Sequence, residues 1–199
     1  QTGGRGVMPA ALLRGLADGK PIVDNEMYIG NTTNSIRGSY LAQYIRGFNV
    51  SYSFKWESGK SGYYFMNRDN VQLDALLGSR IAKRDVMDVN EFFTPRRRGV
   101  PHEVAILFSS PTERVAEYGL DGYKCFDQAQ SVAEFEHLEH DVIFEDQITN
   151  TTARLDNYKV LVCAGTRASY PGTCTQIRKW VENGGSLVLV KTRLAGTEY

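Results

Sequence analysis

Glu26 is the residue with the clearest chemical potential. It lies in Lys20-Pro-Ile-Val-Asp-Asn-Glu26-Met-Tyr-Ile-Gly30. Ile22 and Val23 are β-branched, Pro21 stands where a strand tolerates a missing N–H, and Gly30 and Asn31 break the run. The stretch reads as a buried strand with a carboxylate at its C-terminal end. In a parallel α/β barrel that end is the catalytic face. A carboxylate fixed there suits nucleophilic attack or proton transfer. Hydrolysis of a glycosidic bond needs two carboxyl groups, about 5–5.5 Å apart for retention of configuration or about 6.5–9.5 Å apart for inversion. Trp56 closes a second strand candidate and would give a sugar ring an apolar platform. Tyr28, Lys55 and Glu57 stand nearby in sequence as possible contacts, the last two able to bond sugar hydroxyls.

The elements needed to position these residues can be read from periodicity. A helix is expected over Pro9 to Asp18, with Ala10, Ala11, Leu12, Leu13 and Leu16 apolar and Gly19 as the stop. After the Glu26 strand, Ile36, Tyr40, Leu41, Tyr44 and Ile45 recur at helical spacing. That predicts a helix from about Ser35 to Arg46, capped by Asn34 or Ser35 and ended by Gly47. Asn49 to Trp56 alternates Val50, Tyr52, Phe54 and Trp56 with polar residues, the period of a strand. Strand, helix and strand with short links imply a right-handed parallel crossover. Glu57 to Phe65 is a loop rich in Gly, Ser and Tyr. Asp69 to Lys83 reads as a helix capped by Asp69, with a second helical stretch from Arg84 to Phe93. Pro95, Pro101, Gly99 and the run Arg96-Arg97-Arg98 mark a boundary.

The second half alternates strand and helix. Val104 to Phe108 is a continuous apolar run, as a buried parallel strand requires. A helix over Cys125 to Leu138 precedes strands at Asp141–Phe144 and Lys159–Cys163. A helix over Thr173 to Glu182 then stops at Asn183-Gly184-Gly185 before a strand at Ser186–Val190. This succession points to a doubly wound parallel sheet. Two other sites are conceivable in it. Cys163 follows a strand, but it lacks the flanking glycine of a nucleophile elbow, and His137 and His140 come before it rather than after. Ser109-Ser110-Pro111-Thr112 follows the first strand like a phosphate loop but contains no glycine.

Composition narrows the function classes. The 199 residues include 23 basic and 23 acidic side chains, so no net charge draws the chain to nucleic acid or an anionic membrane. At 42% hydrophobic and 11% aromatic, the chain can form a packed core. No apolar run nears the roughly 20 residues of a membrane span. Three cysteines without CxxC spacing argue against a disulfide framework or a zinc site. No cofactor is implied and no metal site is expected. Sequons stand at Asn31, Asn49 and Asn150. The start lacks a Met and an apolar signal region, as expected of a mature or processed end or a fragment, and the compartment stays open.

A family resemblance bears on these readings. Gly19-Lys-Pro-Ile-Val-Asp-Asn-Glu26, about 20 residues of helix, then Gly47-Phe-Asn-Val-Ser-Tyr-Ser-Phe-Lys-Trp56 resemble the last two βα units of a clan A glycoside hydrolase barrel. In organisation they are like the family 42 β-galactosidases. Tyr158-Lys-Val-Leu-Val-Cys-Ala164 and Ile177-Arg-Lys-Trp-Val-Glu-Asn-Gly-Gly-Ser-Leu-Val-Leu189 resemble the α/β domain that follows the barrel there. The resemblance implies an α/β fold: the end of a TIM barrel over residues 1–94, a linker at 95–101, and a flavodoxin-like, glutamine-amidotransferase-like domain over 102–199, the last non-catalytic. It implies a retaining glycosidase acting on a β-galactoside-like carbohydrate, with Glu26 as catalytic residue and Trp56 at the sugar subsite. Asn25-Glu26 is the dipeptide such enzymes carry at the general acid, whereas position near the last barrel strand makes Glu26 the nucleophile. Six barrel strands and the second carboxylate would come from elsewhere in the same or a partner chain. A homo-oligomer, a trimer in the resembled family, is implied as well. The alternative is a non-catalytic assembly module with an incomplete barrel.

Overall fold

A computed structural model describes residues 7–17, 20–27, 32–53, 57–58, 66–67, 70–93, 102–115, 121–150 and 152–192. In chain order the elements are α1 (Val7–Ala17), β1 (Val23–Met27), α2 (Thr33–Ile45), β2 (Val50–Ser53), β3 (Glu57–Ser58), β4 (Met66–Asn67), β5 (Asn70–Val71), α3 (Leu73–Phe93), β6 (Val104–Phe108), α4 (Ser110–Val115), α5 (Asp121–Phe135), β7 (His140–Phe144), α6 (Glu145–Asn150), a 3₁₀ turn (Thr152–Asn157), β8 (Val160–Ala164), α7 (Thr173–Glu182) and β9 (Ser186–Val190). They form two units, Ala17–Val100 on one side and Gln1–Leu16 with Pro101–Tyr199 on the other. Chain order alone groups α1 with the elements that follow it, whereas its contacts group it with residues 101–199.

In the unit of residues 17–100, β1 and β2 pair in parallel across α2, as the crossover rule requires. Asn49 aligns the two strand starts. Its side-chain oxygen accepts from the Ile22 N–H at 2.9 Å, and its own N–H donates to the Ile22 carbonyl at 2.9 Å. Ile22 is buried, whereas Val23 is 46% exposed. The cap of α2 is Thr32, not Asn34 or Ser35. Thr32 and Ser35 exchange side-chain-to-backbone hydrogen bonds in a capping box, so Ser35 is the third helical residue. At the other end Gly47 (φ 94°) donates to the Tyr44 carbonyl and Phe48 to that of Gln43, a Schellman closure that L residues adopt with strain.

The sequence from Leu73 to Phe93 forms one 21-residue helix rather than two, since no Pro or Gly separates Lys83 from Arg84. It packs on α2 through Ile36, Ala75, Tyr40 and Leu76. Gly78 permits this approach: a Cβ there would lie 2.6 Å from the Thr33 carbonyl oxygen. Arg37–Asp85 and Tyr44–Asn90 pairs tie the helices along their length. The expected cap Asp69 lies outside the described residues.

The other unit is a four-stranded, all-parallel sheet in the order β7-β6-β8-β9. The chain winds to one side of β6, then crosses back to the other. Alternation along the strands divides the core. Ala105, Leu107, Ile143, Leu161 and Cys163 face Ile148, Leu155, Ile177 and Trp180 on one side. Ile106, Val142 and Phe144 face Phe126, Ala133 and Ala11 of α1 on the other. α1 comes so close that a Cβ on Gly15 would meet the Val142 carbonyl oxygen at 2.2 Å. α7 and β9 match the periodicity to the residue, and the Asn183-Gly184-Gly185 stop is a second Schellman closure. α4, α6 and the 3₁₀ turn are too short for periodicity to reveal.

Candidate functional site

Glu26 is the fourth residue of β1, near its C-terminal end. The β1–β2 register runs Val23 to Val50, Asp24 to Ser51, then Met27 to Ser53. Asn25 and Glu26 together therefore oppose Tyr52 alone, an irregularity of the β-bulge kind. Bulges interrupt the up-and-down alternation and re-aim side chains, and they are frequent beside active sites. The strand thus places the Glu26 backbone within this irregularity, one residue before the last pair, Met27 with Ser53. Glu57 is likewise placed by backbone, in β3, which pairs with β4. The side chains of Glu26 and Glu57, and all of Tyr28, Lys55 and Trp56, lie outside the described residues, so the constellation expected from sequence is located only at these two backbone positions.

The second region lies at the C-terminal ends of β6, β7 and β8, where open α/β sheets place their ligand crevice. Here the chain's own groups are joined directly. Ser109-Ser110-Pro111-Thr112 is not an open loop: it leads into and starts α4. The buried hydroxyls of Ser109 and Thr112 approach the Ala168 carbonyl at 2.8 and 2.9 Å. Thr112 Oγ1 also accepts from the N–H groups of Arg167 and Ala168 at 3.0 and 3.1 Å. Glu145, directly after β7, is 1% exposed. Its Oε2 accepts from the Tyr170 N–H at 2.6 Å and from the Thr173 hydroxyl at 3.1 Å. Since the N-cap of α7 is Gly172, which has no side chain, this carboxylate 27 residues away serves the helix start in its place. Burial pushes the Glu145 pKa up, more strongly than the Tyr170 and Thr173 hydrogen bonds and the nearby Ser109 hydroxyl pull it down. The strand-end rule that singles out Glu26 applies equally to Glu145, and that was the signal available in the sequence.

Cys163 is fully buried on β8, and burial, with Glu145 and Cys174 adding to it, pushes its thiol up to about 12. A thiol so held is inert as a nucleophile. His140 is no partner for it: Leu107 pairs with Cys163, while Val104 pairs with His140, a separation of three residues or about 10 Å along the strands. The His140 ring is instead engaged with the Leu138 carbonyl at 2.9 Å and Gln130 at 3.4 Å. Among the described residues no group of three His, Cys, Asp or Glu could hold a metal ion, and no helix is long and apolar enough to cross a membrane.

No protein-family model and no curated protein matches the chain. Solved structures do. A β-galactosidase from the haloarchaeon Halorubrum lacusprofundi matches over 92% of this chain and 29% of its own, with a TM-score of 0.69 and 13% identity. The β-galactosidase of Marinomonas ef1 matches over 90% of this chain and 30% of its own, with a TM-score of 0.62 and 14% identity. A GH42 exo-carrageenase from Bacteroides ovatus matches over 84% and 24%, with a TM-score of 0.61 and 13% identity. The chain spans less than a third of the length of these proteins. The chain thus shares the fold of a part of these β-galactosidases and of the GH42 exo-carrageenase, with a four-stranded parallel sheet in a mixed α/β chain.

Proposed function

We propose that the chain is the C-terminal part of a retaining, β-galactosidase-like glycoside hydrolase. In this reading β1, α2, β2 and α3 are the last two βα units of a (β/α)₈ barrel, residues 95–101 are a linker, and residues 102–199 are a flavodoxin-like, non-catalytic domain. The observation that carries it is the placement of Glu26 beside a bulge near the end of a parallel strand, in a chain that shares its fold with β-galactosidases over about nine-tenths of its length. Glu26 attacks the anomeric carbon, and the glycosidic oxygen leaves with a proton from a general acid outside these 199 residues. Water then releases the sugar from Glu26. Trp56 stacks on the sugar ring, while Tyr28, Lys55 and Glu57 contact its hydroxyls.

Uncovered strands among the described residues support reading the chain as part of a larger protein. Two parallel strands cannot close a barrel. In the other unit β9 leaves Val188, Leu189 and Val190 more than 40% exposed, although all-parallel sheets are normally covered on both faces. The remaining barrel strands and the homo-oligomer, a trimer in this reading, belong to the same proposal. Glu26→Gln in the complete protein tests it. Hydrolysis of an aryl β-galactoside should fall by at least about 10³-fold with the protein still folded. Unchanged turnover would remove the catalytic reading and leave an assembly module.

A further inference from the structure

The N-terminal rim of the four-stranded sheet carries a cluster that the proposed function does not use. His102 stands two residues before β6, Asp141 is the second residue of β7, and Tyr158 stands two residues before β8. His102 Nδ1 lies 3.1 Å from Asp141 Oδ1, and the Tyr158 hydroxyl donates to Asp141 Oδ2 at 3.1 Å. Glu139, on the turn into β7, brings Oε2 to 3.9 Å from His102 Nε2. Arg14 of α1 adds positive charge that acts on Asp141. Lys159 and Glu103 pair with each other on the same rim. One carboxylate thus receives groups from the starts of β6 and β8 and feels a helix that packs on the sheet.

We propose that His102 and Asp141 form a pH-operated latch that joins the starts of β6 and β7 when the imidazole is protonated and loosens when it is not. The protonated ring places a positive charge between Asp141 and Glu139. The neutral ring retains at most one hydrogen bond to Asp141 and loses both charge interactions. The ring is about one-fifth exposed, so water weakens this attraction only in part. The hydrogen bond to Asp141 raises the His102 pKa above its ordinary 6.5, with burial opposing. Burial would raise the pKa of Asp141, but the bond and charge of His102, the Tyr158 bond and Arg14 lower it overall. Since the folded pKa of His102 exceeds the unfolded one, the latch is fully present below about pH 6.5 and is lost as pH rises through the folded value.

The His102 imidazole resonances can be followed in the complete protein and assigned by difference with His102→Asn. The His102 midpoint should lie above 6.5 and move down in Asp141→Asn, whereas Tyr158→Phe, which removes a donor from Asp141 and leaves its charge more available to the imidazole, should not lower it. The Tm of wild type should fall more between pH 6 and 8.5 than that of His102→Asn. A wild-type midpoint at or below 6.5, a midpoint unmoved by Asp141→Asn, or parallel Tm profiles would each overturn the latch. If Asp141→Asn fails to fold, the wild-type midpoint and the comparison of Tm profiles with His102→Asn keep the test decisive.

Discussion

Glu145 has an uneven hydrogen-bond arrangement. One carboxylate oxygen receives two donors, while the other, Oε1, is buried with no hydrogen-bond partner among the described residues. A charge so placed is expensive, and burial accordingly raises its pKa above the ordinary 4.5. The sign is the same as for His102, because here too the folded pKa lies above the unfolded one. The folded protein holds its proton more tightly, so stability is greatest at acid pH and declines as pH rises from about 4.5 through the folded pKa. Glu145→Gln keeps an acceptor for Tyr170 and Thr173 and cannot ionise. Its stability by urea denaturation should therefore be flatter across that window and should gain on wild type toward pH 8. Glu145→Ala leaves the Tyr170 N–H without its acceptor and should cost about 1–3 kcal/mol at every pH. A Gln variant that tracks the wild-type pH profile would contradict the assignment.

The helix pair α2–α3 shows how an element depends on one missing methyl group. Replacing Gly by Ala inside an exposed helix ordinarily gains about 1 kcal/mol. At Gly78 the added Cβ would stand 2.6 Å from the Thr33 carbonyl oxygen and 3.0 Å from the Ile36 Cβ. Backbone has to move, because neither contact is the end of a flexible chain. The steric term wins, and Gly78→Ala should destabilise by about 1–3 kcal/mol in thermal or chemical unfolding. Equal or higher stability would mean that the two helices separate freely. The parallel sheet was legible element by element because β6, β7, β8 and β9 are short apolar runs bounded by polar residues or glycine. The cap of α2 was not, because Thr32, Asn34 and Ser35 are all competent caps and only hydrogen bonding selects among them.

For the whole molecule, the open question at Glu26 is its role. Within the proposed function, the Asn25-Glu26 dipeptide favours a proton donor and chain position favours a nucleophile. The two predict different dependence on leaving group, since a general acid matters little when the leaving group needs no proton. As nucleophile, Glu26→Gln in the complete enzyme should lose activity alike on an activated aryl galactoside and on an alkyl galactoside. Activity kept on the activated substrate and lost on the other would make Glu26 the acid, and the proposed role would be withdrawn.

Sequence alone determined the alternation of strand and helix, the strand that carries Glu26, and the α7–β9 turn. These are local: hydrophobic period, capping and glycine stops act within about a dozen residues. Tertiary structure decided what no local pattern contains. Only folding shows that α1 joins the four-stranded sheet, that the register slips beside Glu26, that Glu145 serves the start of a helix 27 residues on, and that His102, Asp141 and Tyr158 meet at one rim. Each depends on contacts between residues far apart in the chain, whose partners are chosen by packing and by the need to satisfy buried polar groups.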